Sequence, residues 1–417
     1  MAGGTGCRYI QAVGVNRWVG ALRQRNFRVF FIGQAASQIG TGMAPVAIAF
    51  AVLEHGSASD VGYVLAAETL PLVLFLLVGG VIADKFSRRL VMLSSDILRF
   101  CAQGVLGIWI LVATPPLWGF LFLAALLGTG MAFFTPAMTG LVPQILEDAH
   151  LQQGNALNGL AESGGRIVGP ALAGVIIATS SPGWAVLVDA LSYLVSVLSL
   201  AMVRADWSVI RPSDTFVVLL REGWQQFWDR TWLWVVVVQS SIVNTLIFAP
   251  FFVLGPVIAK EHLRGATAWG AVLASLGVGA LVGGAVMLRV RPRRPLLVGM
   301  LISFVWVFPL MALAYPVSTV AIAIGSFFGG GALSVFGALW NTTMQREIPA
   351  EVLSRVSAYD WFGSLVFLPL GMAAVGPLAD SFGTTVVLVT AAGLTVLLIA
   401  AVLLVPSVTQ LRVSEST

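Results

Sequence analysis

Seven charged residues interrupt stretches of sequence that are otherwise almost wholly apolar: Glu68, Asp96, Arg99, Glu162, Arg166, Asp189 and Asp360. A charge at the centre of a bilayer costs about 2.5–3.5 kcal/mol on insertion scales, so it needs a partner or a wet cavity. Spacing sorts these residues. Asp96 and Arg99 stand three apart, and Glu162 and Arg166 four apart. Each pair therefore shares a helix face and can neutralise itself. Two uses are open for such a pair: lowering the insertion cost while pinning helix packing, or serving in proton coupling. Glu68, Asp189 and Asp360 have no cation at helical spacing. A carboxylate without a cation in an apolar span is the kind of group from which proton relays are built.

The elements that carry these charges are long. Of 417 residues, 58% are hydrophobic and 10% charged, against about 25% charged in a soluble domain. So little charge cannot supply a soluble surface, and the chain is expected to be a polytopic membrane protein. Twelve spans are predicted: 28–51, 61–83, 90–112, 117–139, 156–179, 184–203, 232–257, 268–288, 295–314, 319–340, 356–379 and 385–406. The runs are too long for barrel strands and lack their alternation. Cys7 and Cys101 lie far apart, and His55, His150 and His262 fall in predicted loops. No metal site, disulfide framework or cofactor site is expected. No Gly-x-x-x-x-Gly-Lys-[Ser/Thr] loop is present, so the expected energy source is a gradient rather than a built-in ATPase. One charge moved across 100 mV yields about 2.3 kcal/mol, enough for modest uphill export.

Lys and Arg set the orientation. With both termini cytoplasmic, all but four of the 23 basic residues lie on the cytoplasmic side. Lys260 and Arg264 lie outside, and Arg99 and Arg166 within spans. Arg far outnumbers Lys, which suggests a bacterial gene of high GC content and hence an inner (cytoplasmic) membrane. The expected organisation is a cytoplasmic tail (1–26), an amino-terminal six-helix bundle (27–203), a cytoplasmic linker with an amphipathic helix (204–230), a carboxy-terminal six-helix bundle (231–406) and a short cytoplasmic tail (407–417). The linker helix is read from Phe216, Val217, Leu220, Trp224, Phe227 and Trp228, apolar at helical spacing and suited to the interface.

The halves repeat each other. VPQILEDAHLQQGNAL (142–157) aligns with MQREIPAEVLSRVSAY (344–359), and GGVIADKFSRR, from Gly79, has its echo in GGAVMLRVRPRR, from Gly283. Asp84 becomes Leu288 in the echo, while the basic residues remain. Parallel six-helix repeats of this kind mark secondary transporters that work by alternating access.

Gly80, Asp84, Lys85, Arg88 and Arg89 follow the pattern of the loop between helices 2 and 3 of the major facilitator superfamily, with Ser87 in place of a Gly. A second stretch, GRIVGPALAG, places Gly165, Gly169, Pro170 and Gly174 close to the helix 5 motif of that superfamily's antiporters. With VLAAETLP, SSDILR, FFTPA and VDALSYLVS, the chain resembles the subfamily of macrolide effluxers and the enterobactin exporter. The Arg that drug–proton antiporters carry in helix 4, four residues before a Gly-x-Gly, is Ala124 here.

The resemblance implies an all-α integral membrane fold, with twelve transmembrane helices in two pseudo-symmetric six-helix bundles. It makes Gly80, Asp84, Lys85, Arg88 and Arg89 a conformational latch, with Asp84 capping helix 11. It sets helices 2 and 11 beside the interface of the halves, so Glu68 and Asp360 lead the proton-coupling candidates, ahead of Asp96, Arg99, Glu162 and Arg166. Asp189, in the usually peripheral helix 6, reads as structural. Helices 1, 4, 7 and 10 would line a central path, which nominates Gln34, Gln38, Met43, Met131, Phe134, Gln239, Asn244, Phe248, Phe328 and Asn341. Amides and aromatics without fixed charge suit a large, near-neutral, amphipathic ligand. The expected function is proton-gradient-driven export of amphipathic small molecules (antibiotic, siderophore or other metabolite) by a monomer in the lipid bilayer, with no nucleic-acid partner. An importer or facilitator on the same fold is the alternative. An integral membrane enzyme or a receptor lacks the constellation or the soluble domain it would need.

Overall fold

The computed structural model describes residues 20–203 and 224–411; within them the side chains of residues 76–78, 80, 81, 83–85, 148, 350, 351 and 354, among them Gly80, Asp84 and Lys85, lie outside the description. Among the described residues twelve helices are long and apolar enough to cross a membrane. They are α1 (Arg25–Leu53), α2 (Ala58–Lys85), α3 (Arg88–Val112), α4 (Leu117–Ile145), α5 (Leu151–Thr179), α6 (Pro182–Met202), α7 (Thr231–His262), α8 (Ala266–Met287), α9 (Pro295–Ala314), α10 (Thr319–Glu347), α11 (Ala350–Leu365 continued by Leu368–Phe382) and α12 (Thr384–Leu403).

Local chemistry starts and bends these helices. Ser57 and Asp60 form a reciprocal capping box at the start of α2, with the Ser57 N–H donating to Asp60 Oδ2 at 2.8 Å. Ser318 caps α10 by accepting from the Ala321 N–H at 3.2 Å. Pro309 and Pro369 cannot donate to the carbonyls four residues earlier. Accordingly α9 passes through a 3-10 turn at Phe304–Trp306, and α11 breaks between Leu365 and Leu368. Several helices outrun their predicted spans: α4 continues to Ile145, α10 to Glu347, and α11 begins at Ala350. Hydropathy marks the part inside the bilayer core, whereas Gln, Glu and Arg keep good helix propensity beyond it.

The halves use one packing plan twice. In the first, α1 packs on α5 and α6, α2 on α4, and α3 on α4 and α6. In the second, α7 packs on α11 and α12, α8 on α10, and α9 on α10 and α12. Across the halves the principal contacts are α5 with α8 and α2 with α11, which are equivalent pairs under the repeat. Gly270 of α8 lies so close to α5 that an added Cβ would collide with the Pro170 carbonyl. Hydrogen bonds join the halves toward the end away from the chain termini. Ser59 Oγ donates to Asp380 Oδ2 at 2.7 Å, Thr267 Oγ1 to the Gly174 carbonyl at 3.4 Å, and Lys260 Nζ to the Leu53 carbonyl.

Of the predicted linker helix, the last turn, 224–228, is within the described residues, and Phe216, Val217 and Leu220 are outside them. Trp224 stacks on Phe227 and Trp228 and meets the Tyr359 ring of α11 edge-on at 5.4 Å. The aromatic face thus packs on the second half, through contacts of the size typical for ring pairs.

Candidate functional site: a buried polar seam in the first half

The richest polar chemistry inside the spans lies where α3 and α6 meet. Arg99 pairs with Asp96 through Nη2, and both side chains are buried, at 6% and 0% exposure. Asp96 Oδ2 also accepts from Ser196 Oγ at 2.6 Å. One turn along α3, Gln103 Nε2 donates to Asp189 Oδ2 at 2.6 Å, and Asp189 is wholly buried. Ser192 Oγ donates to the Asp189 carbonyl at 2.7 Å, and Tyr193 OH and Thr41 Oγ1 of α1 share a bond of 3.1 Å. The seam therefore joins α1, α3 and α6 by polar contacts in an apolar bundle. Such bonds between spans are worth roughly 0.6–2 kcal/mol each.

Arg99 is held on three sides. Its guanidinium carbon lies 4.3 Å from the Phe134 ring centroid and 4.4 Å from that of Tyr193. A planar cation between two aromatic faces gains from both ring quadrupoles, most strongly when desolvated. Its aliphatic stem runs along α4 where Gly130 leaves room. The Gly128-Thr129-Gly130 stretch, which lacks its expected Arg at Ala124, thus receives a cation from α3 instead. Glu68 of α2 is half-buried and has no hydrogen bond among the described residues. Its backbone carbonyl packs against Gly128 of α4, two residues from the Gly130 that borders the Arg99 stem.

The other nominated residues fall in distinct places. Glu162 and Arg166 bond to each other on α5 with 49% and 60% of their side chains exposed. Their face of α5 lies between the one against α1, at Gly165 and Gly169, and the one against α8, at Pro170 and Gly174. Asp360 is buried in the second half, accepting from Trp340 Nε1 at 2.9 Å and Ser364 Oγ at 3.4 Å. Gln34, Met43 and Phe134 are buried, Gln38 is half-buried and Met131 is exposed. Gln239, Asn244 and Phe248 line one small cavity of about 40 Å³ with Trp306 and Phe336. Asn341 is exposed, and Phe328 shares an outward face of α10 with the exposed Val320 and Ile324, four residues apart in turn. At the start of α3, Arg88 Nη1 donates to the Gly140 carbonyl, and Arg89 Nε and Nη2 donate to the Leu200 and Ala201 carbonyls at 2.9 and 2.6 Å. Both tie the start of α3 to backbone carbonyls near the ends of α4 and α6.

Gln103, Tyr193, Thr41 and Ser196 escaped the residue-by-residue reading, and Asp189, assigned there to structure alone, joins the same seam. A signal for them exists: Asp189, Ser192, Tyr193, Ser196 and Ser199 form a buried stripe at three- and four-residue spacing. Gln103 continues the Asp96–Arg99 face by one more turn.

A twelve-span bundle built of two parallel repeats, with a polar seam buried inside its first half, defines a secondary transporter. The model of the transmembrane secretion effector family matches residues 18–417, and the chain belongs to that family of major facilitator transporters. It is 29% identical over 364 residues to the multidrug efflux pump Tap of Mycolicibacterium fortuitum, covering 82% of this chain and 87% of that one. It is 23% identical to macrolide efflux protein A of Streptococcus pyogenes, over 86% and 90% of the two chains. Among solved structures, the nucleoside transporter NupG superposes with a TM-score of 0.72 at 12% identity, over 90% of this chain and 98% of its own. A bacterial homologue of the lysosomal transporter Spinster, in an inward-facing, unoccupied conformation, gives 0.69 at 14% identity, over 94% and 98%. At those identities the structural likeness speaks for the fold alone. The protein is thus a multi-pass carrier of small molecules within a membrane.

Proposed function

We propose that the protein is a proton-gradient-driven exporter of amphipathic small molecules, working as a monomer in a bacterial inner membrane with both termini cytoplasmic. The observation that carries the reading is the charge balance of the seam. Asp96 balances Arg99, which leaves Asp189 and Glu68 as carboxylates without a cation in contact among the described residues. Uncompensated charges in a low-dielectric interior are expensive. The cluster is therefore stable dry only when it has taken up protons, and it can release them when water enters. Coupling that exchange to the opening and closing of the halves makes a proton antiporter. Gln103 and Ser192 hold Asp189 in place, and Arg99 tunes both acids. Glu162 and Arg166, half-exposed between the α1 and α8 contacts of α5, stand on the path side.

Export is supported by the names of the relatives, both efflux proteins, and by the helix 5 motif at Gly165, Gly169, Pro170 and Gly174. An amphipathic, near-neutral substrate is supported by the amide and aromatic lining at Gln239, Asn244 and Phe248. In the proposed orientation the contacts at Ser59–Asp380 and Thr267–Gly174 close the outer side, as an inward-facing state requires. We assign the latch to Gly80, Asp84, Lys85, Arg88 and Arg89 and bundle boundaries at 27–203 and 231–406. The test is uptake of a labelled macrolide into everted membrane vesicles under an imposed pH gradient, acid inside. Wild type accumulates the label, and Asp84→Asn inserts normally but accumulates far less. Gradient-independent flux in wild type contradicts the coupling, and full transport by Asp84→Asn contradicts the latch.

A further inference from the structure

A pocket opens in the second half at the termini side, where α8 ends, α9 begins and α10 passes behind them. Its volume is about 310 Å³, and its lining includes Arg291, Arg346, Thr342, Ala338 and Pro295. Its place in the repeat explains why it exists. Gly80 aligns with Gly284 and Lys85 with Arg289, which sets Pro292 opposite Arg88. Leu151 aligns with Leu353, which sets Thr342 opposite Gly140. In the first half the Arg88 guanidinium enters this space and bonds the Gly140 carbonyl, so closely that a Cβ on Gly140 would strike it. In the second half proline cannot reach, and the equivalent space stays open as the pocket.

Its chemistry is that of an anion site. Arg291 and Arg346 are exposed, and no ion pair or hydrogen bond of either guanidinium is found among the described residues. No acid lines the pocket among the described residues. The first N–H groups of α9 begin at its edge, adding the positive end of a helix. Two guanidiniums offer forked donors matched to phosphate oxygens.

The surroundings choose among phosphates. Val282 and Val286 of α8 are four residues apart and exposed, and Val290 beyond them lines the pocket. Exposed apolar rows on spanning helices face lipid tails. The pocket thus sits at the interfacial end of the lipid-facing α8 strip, with its cations at headgroup depth. We propose that it binds the phosphate of an anionic phospholipid headgroup, its acyl chains lying along that strip.

Native mass spectrometry of the full-length protein tests this, with titration by phosphatidylglycerol, phosphatidylcholine and inorganic phosphate. Wild type retains phosphatidylglycerol in preference to phosphatidylcholine. The double variant Arg291→Gln/Arg346→Gln loses roughly tenfold in phosphatidylglycerol affinity and is unchanged for phosphatidylcholine. Ala338→Phe, which fills the pocket and keeps both arginines, weakens phosphatidylglycerol in the same way. Equal phosphatidylglycerol affinity in wild type and both variants overturns the proposal, as does equal binding of the two lipids by wild type. Displacement of the lipid by millimolar phosphate overturns the assignment to a lipid.

Discussion

The first half gathers Glu68, Asp96, Arg99 and Asp189 around one seam, whereas the second half buries Asp360 against an indole N–H and a serine. Helix arrangement is shared between them; interior chemistry is not. The loops diverge in the same sense. Arg88 plugs the space beside α4, and Pro292 leaves its counterpart open. A duplicated fold can therefore keep its packing plan, set by small residues and apolar faces, while charge concentrates on one side. On the proposed reading the first half carries the proton chemistry, and the second supplies amide and aromatic walls and a lipid contact.

The comparison breaks most directly at Arg99. Arg99→Ala leaves Asp96 buried without its cation, and removing one partner of a buried pair costs about 3–5 kcal/mol. Thermal unfolding in detergent is expected to show a large fall in midpoint, with transport lost. Arg99→Lys keeps the charge but not the planar contact with both rings, so it recovers part of the stability. A neutral effect of Arg99→Ala on unfolding would remove the seam's claim to hold the half together. At Asp360 the expected effect is far smaller. An asparagine there still accepts from Trp340 through its carbonyl oxygen, so stability changes by about 1 kcal/mol or less. Gradient-driven uptake by Asp360→Asn is expected to stay within a few-fold of wild type. Loss of coupling as complete as that from a first-half carboxylate would erase the asymmetry.

Much of the fold was legible because it follows from one-dimensional signals. Apolar runs mark the spans, basic residues suggest their orientation, and GGVIADKFSRR with its echo at Gly283 exposes the repeat. The pairing of Asp96 with Arg99 and of Glu162 with Arg166 was legible from helical spacing alone. What joins different helices was not. Asp189 sits 86 positions from Gln103, and Ser196 is 100 from Asp96, so only packing of α3 on α6 brings them together. Asp189 looked isolated because its partner is an amide on another helix. Asp360 looked unpartnered because an indole N–H is not a charge. Phe328 was nominated for the path because a helix number does not say which face a residue occupies; its row with Val320 and Ile324 does.

The central claim is that carboxylates of the first-half seam exchange the driving proton. The most direct test is substrate-induced proton flux through proteoliposomes carrying a pH-sensitive dye, comparing wild type, Asp189→Asn and Glu68→Gln. Asparagine at 189 can still accept from Gln103, so folding is expected to be preserved, checked by an unfolding midpoint near that of wild type. The account predicts that substrate moves protons in wild type and that one or both variants bind substrate but move none. Proton flux of wild-type size in both variants would contradict it.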